Sequence, residues 1–330
     1  MRLATLLLSA VLAAACSGPA AGTHTAAPSS VTPSSSTTPA ERLGPGGLTL
    51  DEEVGAVMMV GFEGPLTDSV KADWKGRQFG GLLVVNLNHN GDSAAAVSSV
   101  IGSLRGLSRH RLVAATDQEG GQVCLAVSSL PCAAMPVGQA EMTNMSAGIK
   151  ALGFDLNLAP VSDVCSGSSS IMWGRCYGTD PGSVAQAVGS AVDGIHAARV
   201  LSAAKHFPGH GNTAVSSDTQ LPRIDEGPPT IQARDLPPFG AAIAHGTDFV
   251  LLGHLFYPAL DPQRSADLSP ATVNLLRANL GFQGAILSDD MEMGAITSST
   301  PTPEAAVEFL IAGGRHGHGR APSAGRGRNL

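Results

Sequence analysis

Three polar clusters in this chain have the residue types for chemistry: Asp117-Gln118-Glu119-Gly120-Gly121, Lys205-His206-Phe207-Pro208-Gly209-His210-Gly211 and Ser288-Asp289-Asp290. They place carboxylates, which accept hydrogen bonds and can act as nucleophiles, beside ammonium and imidazole groups that donate. His206 and His210 stand four apart, the spacing of a metal pair on a helix, but Pro208 and Gly209 between them would break that helix. No metal and no other cofactor is expected.

Each cluster begins where a short apolar run ends. Seven such runs recur along the chain: Val57–Phe62, Gly81–Asn86, Leu112–Asp117, Asp155–Pro160, Ser202–Phe207, Phe249–His254 and Ala285–Asp289. Helical stretches lie between them, among them Asp92–Leu107, Pro181–Ala198 and Pro270–Leu280. Continuous apolar strands separated by helices predict a parallel sheet covered on both faces. Seven units after Leu48 favour an α/β fold of the (β/α)8 TIM-barrel type, whose strand tips carry the chemistry. No G-x-G-x-x-G follows an early strand, which argues against a dinucleotide fold.

The eighth unit is irregular. After the helix expected at Pro303–Ala312, residues 313–330 are rich in Gly and Arg and contain no apolar run for a buried strand. A frameshift or truncation of the coding sequence accounts for this better than a designed basic tail.

With 43% hydrophobic residues the chain can bury a core, and a balance of 20 − 27 = −7 charges argues against nucleic acid as a partner. Glycine, at 40 of 330 residues, is well above the usual share of roughly 7% and fits a loop-rich enzyme. At the N-terminus, Arg2 and the apolar run Leu3–Ala15 have the form of a signal peptide (1–15) and are too short to span a bilayer. Cys16 then follows Leu12-Ala13-Ala14-Ala15, which resembles a bacterial lipobox with Ala13 where Leu is usual. Residues 16–47 read as a lipidated cysteine and a tether: all but five of residues 17–47 are Ala, Gly, Pro, Ser or Thr. Such a coil reaches roughly 30 Å. The expected location is the extracytoplasmic face of the membrane, reached through the anchor, with the protein a monomer.

Cys124, Cys132, Cys165 and Cys176 form an even set in an exported chain and allow two disulfides in three connectivities. The sequence-local choice, Cys124–Cys132 and Cys165–Cys176, is favoured. The competing zinc site has no C-x-x-C spacing to support it.

From Lys205–Gly211 to Leu221-Pro222 the chain resembles glycoside hydrolase family 3, especially its single-domain β-N-acetylglucosaminidases. The likeness covers most of residues 48–312 and includes Asp117–Gly121, Asn157–Val164, Arg175 with Tyr177-Gly178 and Asp180-Pro181, the Lys205-His206 segment, and Ser288–Met291. It implies an exo-acting, retaining enzyme that trims terminal GlcNAc from cell-wall fragments. Retention needs a carboxylate nucleophile and a proton donor. By resemblance Asp289 is the nucleophile, and Asp117, Arg175, Lys205 and His206 are the sugar-binding set. Asp290 should point away from Asp289, since strand side chains alternate. Asp163 is expected to brace a loop, and His254 stands equally between a structural and a functional role.

The general acid departs from the family's pattern. Where relatives carry Asp-x-His in the loop after the Lys-His segment, this chain has Ser216 and Asp218. Asp218 is the first candidate to donate the proton and His210 a second; a site with no competent acid is the alternative to both, and stands ahead of His210. Other readings are a β-glucosidase or β-xylosidase, a GlcNAc phosphorylase of the same family, or a catalytically impaired, lipid-anchored sugar-binding protein.

Overall fold

A computed structural model of the chain describes Gly44 and residues 47–314. The expected signal peptide, the lipidation site Cys16, most of the 16–47 tether and the tail from residue 315 onward lie outside the described residues.

The strands are β1 (Met59–Val60), β2 (Gly81–Leu83), β3 (Val113–Thr116), a hairpin of β4 (Gln118–Gly120) and β5 (Val123–Cys124), then β6 (Leu156–Asn157), β7 (Leu201–Phe207), β8 (Phe249–Leu252) and β9 (Ala285–Ser288). Apart from the hairpin they form one seven-stranded sheet in the order β1-β2-β3-β6-β7-β8-β9. Every pair in that sheet is parallel. Helices fill the crossovers: α1 (Leu50–Ala56) leads in, followed by α2 (Asp68–Arg77), α3 (Ala94–Leu107), α4 (Gln139–Ala151) and α5 (Pro181–Ala197).

Between β7 and β8 one helical rod runs through α6 (Pro228–Thr230), a π turn at Ile231–Asp235 and α7 (Leu236–Ala244). The wide turn comes just before Pro237 and Pro238, which have no N–H for the ordinary helical ladder. Beyond β8 come α8 (Pro270–Asn274), α9 (Gly294–Thr297) and α10 (Thr302–Ala312).

Sequential parallel strands with helical crossovers are the connectivity of a barrel. The eighth unit, expected to be irregular, is where the regular repeat stops. Among the described residues the sheet ends at β1 and β9 with no strand between them. Past α10 the described chain offers only Gly313 and Gly314, so it supplies no apolar run to pair with either edge.

The strands are shorter than their apolar runs. Pro160 has no N–H to give, so the ladder of β6 stops at Asn157 and pairing resumes as a lone bridge between Val161 and Lys205. Two large apolar clusters cover the helix side of the sheet, one around Phe207, Phe239, Val250 and Ile286, the other around Leu82, Ile101, Ala114 and Phe154. A small third cluster lies on the opposite side: Ala115, Leu156, Leu158, Ala203, Leu251 and Leu287. Because strand side chains alternate, this cluster is the apolar floor from which the site rises.

Candidate active site

Two residues beyond three of the floor residues, the strands turn polar. Ala115 is followed on the same face by Asp117, Ala203 by Lys205 and Leu287 by Asp289. Leu251 is followed by Gly253, where a Cβ would stand 2.9 Å from His206 Cβ. The glycine therefore leaves room for His206. The register of β7 against β8 shifts between Ala204 and Phe207, and the Lys205–His206 and Phe207–Pro208 peptides are cis. With regular pairing interrupted there, both Lys205 and His206 reach carboxylates of the site.

Lys205 is buried and forms ion pairs with Asp117 and with Glu119, the latter at 2.7 Å. Arg175 grips the same Glu119 with two hydrogen bonds. Burial alone would push the Glu119 carboxyl up, but Lys205 and Arg175 outweigh it and hold it at about 2. Burial likewise opposes the charge on Lys205 and Arg175, and the carboxylates reverse this, raising both above their ordinary values.

Two disulfides hold this frame. Cys124 is bonded to Cys132 beside the β4–β5 hairpin, and Cys165 to Cys176 across the loop that carries Arg175. The hairpin and the loop meet at a pair of glycines: a Cβ on Gly121 would lie 2.4 Å from Gly174 O. The Arg175 loop also joins the segment after β7, where Ser166 N donates to Gly211 O and Ile171 N to Thr213 O.

Asp289 follows the last residue of β9, and its N–H is held by Leu252 O at 2.9 Å. Burial favours the neutral acid, but positive charge at His206, His254 and Lys205 prevails and holds this carboxyl below its ordinary value. His206 Nε2 stands 4.0 Å from Asp289 Oδ2, and its Nδ1 meets Asp163 Oδ2 at 2.8 Å. Asp163 Oδ1 also accepts the backbone N–H of His206 and of His210, so this buried carboxylate braces the loop after β7.

The acid candidates differ in setting. His210 is buried, with Nε2 3.3 Å from Ser217 Oγ. Burial and the neighbouring His206 push its pKa down, which leaves a neutral ring at pH 7. Asp218 is exposed and stands outside the ion network; its Oδ2 accepts from Ser216 Oγ at 2.9 Å. Its loop is docked through the backbone, with Gly294 N donating to Asp218 O and Ala295 N to Ser217 O. Among the described residues no group of three or more His, Cys, Asp or Glu side chains is placed to hold a metal ion.

Residues 49–314 match the Glycosyl hydrolase family 3 N terminal domain. The chain belongs to glycosyl hydrolase family 3. A β-hexosaminidase of Xylella fastidiosa is 31% identical over 257 residues, spanning 73% of this chain and 76% of the relative. One from Stenotrophomonas maltophilia is 31% identical over 279 residues, 78% of this chain and 81% of its own. These relatives put the enzyme in the β-N-acetylhexosaminidase type of glycoside hydrolase.

Solved structures agree. A family 3 β-N-acetylglucosaminidase from Paenibacillus superposes with a TM-score of 0.76 at 30% identity, over 81% of this chain and 54% of that one, so this chain spans about half of that enzyme. The β-N-acetylhexosaminidase of Beutenbergia cavernae gives 0.72 at 28% identity, over 81% of this chain and 86% of that one.

In this family 3 chain, Asp117, Arg175, Lys205, His206 and Asp289 converge through direct contacts or shared partners, whereas Asp218 does not join them. Sequence reasoning quoted Glu119 in its motif but gave it no role. A signal was present: Glu119 lies two residues after Asp117, while Gly120 and Gly121, both at positive φ, turn the chain back on itself.

Proposed function

We propose that the protein is an exo-acting, retaining β-N-acetylglucosaminidase that releases terminal GlcNAc from cell-wall fragments, with Cys16 anchoring it by lipid at the extracytoplasmic face. The observation that carries the chemistry is Asp289: a carboxylate held ionised at a strand tip by surrounding cations, beside the polar layer of Asp117, Lys205 and His206. The relatives' names support the amino sugar, and a solved NagZ of Neisseria gonorrhoeae at 25% identity was crystallised with N-trifluoroacetyl-D-glucosamine. The lipobox and tether support the location.

In this reading Asp289 attacks C1 of the sugar, the bond from C1 to the leaving oxygen breaks, and that oxygen takes the proton of Asp218. Water then attacks C1, returns a proton to Asp218 and frees the Asp289 carboxylate. Asp218 reaches the leaving oxygen when its loop folds over the bound substrate.

The test is to incubate the purified enzyme with aryl β-GlcNAc, aryl β-glucoside and a mechanism-based fluorosugar. Turnover of the GlcNAc compound, with the label on the peptide spanning Gly284 to Met293, is the expected result. Turnover without that label removes Asp289 from its role. The outward-facing Asp218 favours a second reading, a sugar-binding protein with impaired catalysis; GlcNAc binding without turnover of either glycoside would establish it.

A further inference from the structure

Beside Asp289 lies an ion pair with no solvent contact, His254 and Asp267. His254 follows Gly253 just past β8, the strand next to β9. Its Nδ1 lies 3.0 Å from Asp267 Oδ2, and its Nε2 lies 2.8 Å from the backbone oxygen of Asp290. Both ring nitrogens therefore have an acceptor within 3.0 Å, Nε2 as a hydrogen bond and Nδ1 as an ion-pair contact without hydrogen-bond alignment. A neutral imidazole has one N–H and a carbonyl oxygen only accepts, so the surroundings fit the doubly protonated ring. Asp267 makes the same demand: neither of its oxygens has a well-aligned donor, and a carboxylate buried in this way needs positive charge beside it.

The pair reaches Asp289 through the backbone. Leu252 O holds Asp289 N, His254 Nε2 holds Asp290 O, and Asp290 N donates to Asp289 Oδ1 at 3.0 Å. Successive residues are thus fastened to the neighbouring strand on either side of the attacking carboxylate. The electrostatics run the same way. Burial would lower the His254 pKa, but Asp267 and, after it, Asp289 and the Asp290 carbonyl raise it to about 9. The other charged or titratable groups facing Asp289 are His206 and Lys205 of β7, with Asp163 and His210 adjoining through His206.

We propose that His254 is a positioning residue for the nucleophile: as a cation held by Asp267, it fixes the backbone of Asp289 and Asp290 and sets positive charge beside the attacking carboxylate. This rests on the reading of Asp289 as nucleophile. The charge keeps the carboxylate ionised into the acid range and makes it a better leaving group when water cleaves the sugar ester.

The experiment compares His254→Asn and Asp267→Asn with the wild type, using an aryl β-GlcNAc whose leaving group needs no proton. The acid limb of kcat/KM reports ionisation of the free nucleophile. In both variants it should move to higher pH by about 1 unit, the lower end of what a nearby opposite charge does, and kcat should fall about tenfold or more. An unmoved acid limb in a folded variant overturns the proposal. Should neither variant fold, ring-15N histidine NMR of the wild type decides: His254 doubly protonated at pH 7 supports the proposal and a neutral ring overturns it. Fluorosugar labelling of the wild type separates the two claims. No label on Asp289 defeats the nucleophile reading, whereas a label with an unmoved acid limb defeats His254 alone.

Discussion

Arg175 holds Glu119 in a planar fork, Nε to Oε2 at 2.9 Å and Nη2 to Oε1 at 2.7 Å. The same carboxylate pairs with Lys205, which reaches on to Asp117. One buried acid therefore sets the positions of three groups assigned to the sugar. Arg175→Lys keeps the charge but cannot reproduce the fork. KM for aryl β-GlcNAc should rise by about tenfold, roughly what loss of one charge-assisted hydrogen bond produces, with a smaller change in kcat. Steady-state kinetics on the two enzymes checks this; an unchanged KM would detach the fork from sugar binding.

Glu119 also links the site to acid stability. Its carboxyl is held at about 2 against an ordinary 4.5. The folded form binds its proton less readily than the unfolded chain, so the stabilisation is complete above about pH 4.5 and is lost as pH falls toward 2. A shift of this size corresponds to a few kcal/mol. Glu119→Gln should be less stable than wild type at pH 7, and the gap should narrow as pH drops below 4. Thermal melts across that range measure it, and a gap independent of pH would show that the charge is not the source.

The Cys165–Cys176 bond closes the loop that carries Arg175. Closing a loop of this length is worth about 2–3 kcal/mol in the chain-entropy account. The paired Cys165→Ser, Cys176→Ser variant should melt lower and bind GlcNAc more weakly, since the freed loop must be ordered again by the sugar. Calorimetric titration with GlcNAc is the measurement, and unaltered affinity would mean that the contacts to Gly211 and Thr213 position Arg175 unaided.

At Gly253 the space beside His206 can be tested with one methyl group. Gly253→Ala puts a Cβ 2.9 Å from His206 Cβ. Overpacking of this kind costs about 1–3 kcal/mol, and the relief open to the chain is to move the imidazole relative to Asp289. We expect kcat/KM to fall by about tenfold or more with the fold intact by circular dichroism. Full activity would show that His206 can yield without consequence.

The strands were legible because most sit in short apolar runs, such as Phe249–Leu252 and Ala285–Leu287, and residues such as Asp117, Lys205 and Asp289 mark where those runs give way to a polar layer. Their ends were not legible, because pairing depends on the neighbouring strand's backbone as well as on local residues such as Pro160, which has no N–H to give. α4 carried Met142, Met145 and Ile149 at helical spacing, but its polar residues and Gly148 concealed it. Glu119 and the pair His254–Asp267 gain their meaning from partners on other strands and loops. That no eighth strand stands among the described residues was legible in the Gly- and Arg-rich composition that begins at Gly313.

The proton donor is where sequence and geometry leave the most work to substrate binding. Asp218 is exposed, turned toward Ser216, and carried on a loop pinned at its backbone by Gly294 and Ala295. As the acid, it acts only on leaving groups that need a proton. Asp218→Asn should therefore slow poorly activated glycosides by about 10²-fold or more, the ordinary worth of general acid catalysis, and slow nitrophenyl-type substrates far less. His210→Asn should lack this dependence on leaving group, because its ring is neutral at pH 7. A plot of log kcat/KM against leaving-group pKa discriminates the two: a steeper slope for Asp218→Asn than for wild type assigns the proton to Asp218, and parallel slopes withdraw it.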